Sequence, residues 1–393
     1  MARKQYHGPA FLSHGFRLFF LMAGLSGFLL VPGWLYLFFH GGTLPSGMVS
    51  LDWHIHEMIF GYLAAVIAGF LLTAIPNWTG RLPISGAPLA CLVLLWFFGR
   101  VLMLAPVPDL VRAGGDSLFL IIMTFVAARE VKAGKNWRNA PVCLLVGLFA
   151  LGNITFHVER LGMLDSDVAV RAALSVISVL IALIGGRIVP SFTTNWLIKS
   201  GAAARPVPFN SFDKAVLALT VLALAFWSMA PEGTPTGVML ILAGALQFVR
   251  LARWQGWVPW RNALVLVLHV AYLWLPVGLV LLGFAAALPE VVPMPSAGIH
   301  ALTAGLMGMM TVAVMSRATL GHTGRELAAG AVGCWLYVIL FTAALLRVVA
   351  SLIPEFYASG VMMSGVLWSL AFLIFVVHYG AMMLTPRLVI KGT

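Results

Sequence analysis

The sequence predicts an all-α polytopic membrane protein of about twelve transmembrane helices. Three observations predict it: 61% of the 393 residues are hydrophobic, only 9% are charged, and apolar runs of about 20 residues recur along the whole chain. The mean hydropathy of +0.99 agrees. A soluble domain of this length would expose far more polar surface. The longest polar connection, 199–214, is too short to hold a core, so the chain reads as a single membrane domain over 1–393.

Each span is bounded by proline, glycine or a charge cluster. The first, 16–39, has Arg3, Lys4 and Arg17 before or at its start and no small-residue cleavage site, so it reads as a retained helix and not a signal peptide. The second, 53–76, opens on the tract Trp53-His54-Ile55-His56-Glu57-Met58 and closes at Pro76. Pro106 and Pro108 divide 87–106 from 110–128, and Arg129, Lys132, Lys135 and Arg138 precede 140–158. The sixth span, 168–190, ends at Gly185-Gly186-Arg187 and Pro190. Spans 213–230 and 235–252 flank Pro231-Glu232-Gly233, and Arg253 and Arg261 precede 262–286. Span 297–316 stops at Arg317, and Pro354-Glu355 separates 329–352 from 358–383.

Lysine and arginine fix an expected orientation, because they accumulate in cytoplasmic loops. The N-terminus, the loops after even-numbered spans and the C-terminus carry 19 of the 24 basic residues, whereas ten of the 13 acids lie on the other side. Both termini are therefore expected in the cytoplasm. The net charge of +11 is accounted for by topology and attraction to anionic lipid, with no nucleic acid as partner. Cys91, Cys143 and Cys334 lie inside apolar runs without CxxC or CxxCH spacing, which argues against iron–sulfur clusters, covalent haem attachment and disulfides.

An internal repeat links spans 2 and 10. "IHEMIFGYLAAVIAGFLLTAIPNWTGR" (55–81) and "IHALTAGLMGMMTVAVMSRATLGHTGR" (299–325) align over 27 residues without a gap, seven of them identical. "GGRIVPSFTTNW" (185–196) ends span 6 in a related way. Spans four apart that share a direction suggest three units of four helices in pseudo-threefold arrangement, a symmetry that transporters also use.

Histidine inside a span is costly unless it is hydrogen-bonded or metal-bound. On this orientation His54, His56, His157 and His300 fall at the outer ends of spans 2, 5 and 10, and His269 and His378 lie in the inner half. His54 and His56 diverge by roughly 200° on a helix, so they cannot share one metal. Glu57, three residues from His54, is placed to orient its ring or relay a proton. His56 and His300 hold matching positions of the repeat. If spans 2 and 10 face each other, the two imidazoles approach one point from opposite sides, as a six-coordinate haem requires. Imidazole without cysteine suits iron, copper or zinc, and a copper site would draw on His54 and His157. Spacing alone leaves ligation and hydrogen-bonded packing both open for this outer group. For His269 the alternatives are ligation and a pair with Tyr272 on the same face. Arg187 either neutralises a haem propionate or substrate anion or anchors its span. His378 reads as packing, His7, His14, His40 and His322 as interfacial, and the 18 methionines as filling.

The tracts "WHIHEMIFGYLAAVIAGFLLTAIPNWTGR", "GGRIVPSFTTNW", "LHVAYLWLP" and "IHALTAGLMGMMTVAVMSRATLGHTGR" resemble the NnrS family of bacterial inner-membrane proteins, from residue 16 to about residue 325. The resemblance implies a twelve-span protein that carries b-type haem and copper and is associated with denitrification and nitric oxide stress. The family's histidine-bearing elements correspond to His54, His56, His157, His269, His300 and His322. Leu18 follows Arg17 where the family often has proline. A remoter architectural similarity is to the haem–copper oxidase catalytic subunit, although span 6 lacks a His-x-x-x-Tyr motif and no electron-entry domain is present.

The leading functional expectation is a haem- and copper-containing inner-membrane protein of nitric oxide metabolism or nitrosative-stress defence, which binds nitric oxide at a His-ligated haem and either reduces it or relieves its inhibition of other metals, the electron donor being unknown. Glu57 and Tyr272, with His269 and His378, are the candidate proton relays. The alternatives are a transporter for a metal or small anion, lined by Arg187, Asn195 and the histidines, and a scaffold for a partner reductase.

Overall fold

The computed structural model describes residues 6–164, 166–290 and 295–388; Arg3, Lys4 and Lys391 of the orienting charges lie outside them. Among the described residues there is no strand, and twelve helices are long and apolar enough to cross a membrane. They are α1 Gly15–His40, α2 Ser50–Thr79, α3 Ala87–Leu104, α4 Asp109–Ala133, α5 Trp137–Arg160, α6 Val168–Lys199, α7 Ser211–Met229, α8 Thr234–Ala252, α9 Ala263–Ala287, α10 Ser296–His322, α11 Gly330–Leu352 and α12 Pro354–Leu384. The protein is thus a multi-pass helical membrane protein.

Spans 6 and 10 run furthest past their expected ends. Helix α6 continues through Pro190 to Lys199, because a proline removes one donor without unsatisfying the rest of the turn. The hydroxyls of Thr193 and Thr194 fold back on the carbonyls of Val189 and Pro190 at 2.9 and 2.8 Å. Helix α10 likewise passes Arg317 to reach His322.

A second departure is local. Glu57–Leu63 in α2 and Ala301–Gly308 in α10 are wound as π-helix. In the ungapped repeat, residue 57 aligns with 301 and His56 with His300, so both π segments begin on the residue after the aligned histidines. Both members also end in a left-handed glycine, Gly80 at φ 66° and Gly324 at φ 74°.

The chain forms two compact units. The first comprises Met1–Ala173, Met315–Glu326 and Phe372–Thr393. Here Phe16, Phe19 and Phe20 of α1 are fully buried. A Cβ at Gly69 of α2 would lie 2.6 Å from the Phe20 ring, so the two helices approach at a distance only glycine permits. Thr73 of α2 accepts a 3.2 Å bond from the Phe16 N–H, one of the donors that a helix N-terminus leaves unpaired.

The second unit comprises Leu174–Val314 and Leu327–Ala371. Its helices α8 and α9 pack through small residues. A Cβ on Gly237 would meet the Gly283 carbonyl oxygen at 2.7 Å, and one on Gly283 would meet the Gly237 carbonyl oxygen at 2.8 Å. Lipid offers no hydrophobic drive between helices, so this backbone-to-backbone contact supplies the dispersion that holds the pair. Helix α7 opens with a capping box between Asn210 and Asp213. The second oxygen of Asp213 binds Arg250 Nε at 3.1 Å, which compensates a buried guanidinium on α8.

Candidate functional site

The densest buried polar group lies in the first unit, on four helices. It consists of His56 and Glu57 from α2, Arg100 from α3, Asp116 from α4, and Asn153 and His157 from α5. Asn153 and His157 are four residues apart and therefore share a helix face. Asp116 is 2% exposed and His56 is 0% exposed, so the charges here have no bulk water to lean on.

Asp116 organises the group. Its Oδ2 lies 3.0 Å from His56 Nε2, 3.0 Å from His157 Nε2 and 2.9 Å from the Asn153 amide nitrogen, which donates to it. Its Oδ1 accepts from Arg100 Nη2. The other guanidinium nitrogen donates to Glu57 Oε1 at 2.8 Å, and the same oxygen lies 3.2 Å from His56 Nδ1. Each ring nitrogen of His56 therefore faces a carboxylate. One ligand atom from each of His56, Asp116 and His157 lies within 4.8 Å of the others, close enough for one metal ion. Phe60 and Phe156 close the space around the His56 ring, with centroids at 5.4 and 5.2 Å.

Local structure makes room for this arrangement. A Cβ at Gly61 would stand 2.4 Å from Arg100 Nη1, and one at Gly99 would stand 3.0 Å from Asp116 Oδ1. The π winding displaces the ordinary i to i+4 ladder, and Trp96 of α3 donates to the Gly61 carbonyl oxygen at 2.9 Å. The same helix thus supplies both the guanidinium and the donor that supports the π turn.

The sequence-derived candidates divide as follows. His56, His157 and Glu57 meet in the cluster. His54 turns away, as its spacing requires, and stacks on Trp34 with ring centroids 4.2 Å apart. Glu57 serves His56 and Arg100, whereas the helical spacing pointed it at His54; the fixed guanidinium is the stronger partner for a buried carboxylate. Arg100, Asp116 and Asn153 were missed as site residues, although an ionisable or amide side chain in the middle of an apolar span is itself a signal.

His300, His269, Tyr272 and Arg187 lie in the second unit, and His322 and His378 in the first, outside the cluster. His300 Nδ1 donates to the Ser296 carbonyl at 2.8 Å, a tautomer that leaves Nε2 as the lone-pair nitrogen. The Ser296 hydroxyl, 3.1 Å from the same nitrogen, continues through Ser351 at 3.1 Å to Arg347 Nη1 at 2.8 Å. His269 and Tyr272 do not pair with each other. The Nε2 of His269 bonds Thr193 Oγ1 at 2.8 Å. The longer tyrosine reaches α8, where its hydroxyl donates to Gln247 Oε1 at 2.9 Å and accepts from Arg250 Nη1 at 2.8 Å. Trp254 packs edge-on against both rings. Arg187 lies half-buried on α6.

No functionally curated protein matches the chain. The family model described as NnrS protein matches residues 10–387, nearly the whole chain and every element of both polar groups, and the chain accordingly belongs to the NnrS family.

Proposed function

We propose that this chain is a metal- and haem-containing membrane protein of nitric oxide handling, with a transition-metal ion held by His56, His157 and Asp116. The observation that carries the reading is the convergence of two imidazole nitrogens and one carboxylate oxygen in a dehydrated site inside membrane helices. This donor set fits a metal. It is all nitrogen and oxygen, with no thiol among the convergent atoms, which suits iron(II) or copper(II). It also has the outer supports that ligands need: Glu57 behind the far nitrogen of His56 and Asn153 on Asp116.

His300 is the second element of the proposal, as ligand to a b-type haem. Its Nδ1–H is fixed on the Ser296 carbonyl, the arrangement that orients an imidazole for ligation through Nε2. A ferrous haem and a transition-metal ion, when bound, would each supply orbitals that bind nitric oxide, and a separate donor would have to supply the electrons for its reduction. The protein's own contribution is positional and electrostatic. Arg100 spans Glu57 and Asp116, so it holds both carboxylates in place and offsets their charge when the ligands turn to a cation. Nitric oxide is small, neutral and lipid-soluble and needs no polar channel. Glu57, adjacent to both His56 and Arg100, is the acid placed to pass a proton; Tyr272, tied to Gln247 and Arg250, serves the second unit. A bacterial inner-membrane location with both termini cytoplasmic, and a separate electron donor, complete the reading; the charge bias of the loops supports the orientation.

The test is metal analysis and optical spectroscopy of purified protein from haem- and copper-replete cells. Wild type is expected to hold non-haem metal that Asp116→Asn and His157→Ala lose while haem is kept, and His300→Ala is expected to lose haem. Reduced wild type should shift its Soret band on nitric oxide addition. A colourless, metal-free wild-type protein that is folded would reduce the cluster to an ion-pair network and refute the reading.

A further inference from the structure

A second charged group lies at the other end of the first unit, far from the histidine–aspartate cluster in sequence and independent of it. Three separated stretches meet there: the start of α1, the end of α10, and the segment after α12. Arg17 of α1 is 3% exposed, and its Nη1 donates to the carbonyls of Met383 at 2.8 Å and Thr385 at 2.6 Å, capping the C-terminus of α12. The Leu388 N–H donates to the Thr323 carbonyl at 2.9 Å and docks the tail beside α10. At Gly324 a Cβ would stand 3.2 Å from Arg387 Cγ, so the Arg387 stem lies against the glycine next to Arg325. The Phe16 ring lies 5.5 Å from that of His322 and 6.2 Å from that of His14.

Among its described residues the group is cationic and holds no carboxylate. Among the described residues no carboxylate forms a salt bridge with Arg17, Arg325 or Arg387. The charges felt at His14 beyond burial are those of His322, Arg17 and Arg387, and the charge felt at Arg17 is that of Arg325. Helix capping accounts for Arg17 but not for Arg325 and Arg387. Two buried polar atoms also stand without a hydrogen-bond partner here, Arg17 Nε and, one turn before His322 on the same face, Thr319 Oγ1. Like charges are held together at such a cost when an anion completes them.

We propose that this end of the first unit is a binding site for a phosphate group, borne by an anionic phospholipid headgroup or by free phosphate, with Arg325 and Arg387 as its principal contacts. Guanidinium forks match phosphate oxygens in pairs, and basic pockets at the ends of membrane helices are suited to anionic headgroups. A metal ion is disfavoured by the three guanidiniums around the two histidines. Arg17, engaged through Nη1 by the Met383 and Thr385 carbonyls, adds its charge from the buried side.

The experiment is titration calorimetry on the full chain in a zwitterionic detergent, with short-chain phosphatidylglycerol and inorganic phosphate as separate probes and phosphatidylcholine as control. Wild type is expected to bind at least one anionic probe, and Arg325→Gln with Arg387→Gln is expected to weaken that binding roughly tenfold or more. The paired Arg325→Lys and Arg387→Lys variant should retain most of it, which separates charge recognition from misfolding; size-exclusion profiles check the fold. Binding of phosphatidylglycerol alone identifies a lipid site, and binding of inorganic phosphate identifies a soluble one. Absence of binding by both probes, or binding that the glutamine variant leaves unchanged, overturns the proposal.

Discussion

At the scale of single residues, Asp116 has the largest leverage, because four side chains converge on one carboxylate. Asp116→Ala would strand a buried guanidinium with only Glu57 opposite it and leave both imidazoles without their common acceptor. Breaking a buried pair in this way costs about 3–5 kcal/mol, so the variant should melt well below wild type and its detergent-solubilised yield should fall. Asp116→Asn keeps the shape and should lose less stability, a difference read in the same melting experiment. His14 makes a separate prediction in pH. Burial, then the nearby His322, Arg17 and Arg387, push its pKa from 6.5 down to about 4. The folded pKa is the lower one, so the unfolded chain takes up the proton first as pH falls. Stability from this group is intact above about pH 6.5 and declines toward pH 4, by about 1–2 kcal/mol once solvent screening is allowed for. The apparent Tm of His14→Gln should therefore show a shallower fall than wild type between those limits, and an unchanged slope would remove His14 as a cause.

At the scale of elements, the π segment of α2 links winding to chemistry. Trp96 braces the Gly61 carbonyl, and Gly61 leaves space for the guanidinium that holds Glu57 and Asp116. Gly61→Ala places a methyl 2.4 Å from Arg100 Nη1 and 3.1 Å from Glu57 Oε2, so the guanidinium must abandon a carboxylate or the helix must shift. A loss of about 1–3 kcal/mol is expected, together with weaker metal retention; unchanged melting and metal content would show the π turn to be a passive irregularity. The helices themselves were legible because an apolar run long enough to cross a bilayer admits little else. The π segments were not, since no local pattern announces them; in α2 the turn is braced by a donor from another helix, Trp96 of α3. The repeat did anticipate where they recur, because it paired His56 with His300, and both segments start one residue later.

At the scale of the whole molecule, the sequence was most informative about what the membrane dictates and least about which side chains meet inside it. Twelve spans follow from hydropathy, and His56, His157 and Glu57 were found because histidine and glutamate in lipid stand out. Asp116 and Arg100 carry the same signal but were read as charges of the outer side, since their convergence depends on how α3, α4 and α5 pack. Orientation rests on a different physical quantity, the loop charge, and can be tested without reference to metal or haem. Arg205 lies in the loop between α6 and α7, with Lys199 closing α6 and Lys214 in the first turn of α7, whereas the turn between α7 and α8 carries Glu232 and no basic residue. If positive charge sets the insertion, a cysteine at Ala204→Cys is cytoplasmic and one at Gly233 is unsuitable only because its φ of 107° favours glycine; Thr234→Cys is the better outer probe. A membrane-impermeant thiol reagent applied to intact spheroplasts should label Thr234→Cys and should reach Ala204→Cys only after permeabilisation. The reverse pattern would invert the protein in the membrane. It would then place the acid-rich ends on the cytoplasmic side and leave the cationic site at the end of α10 facing away from the cytoplasmic leaflet.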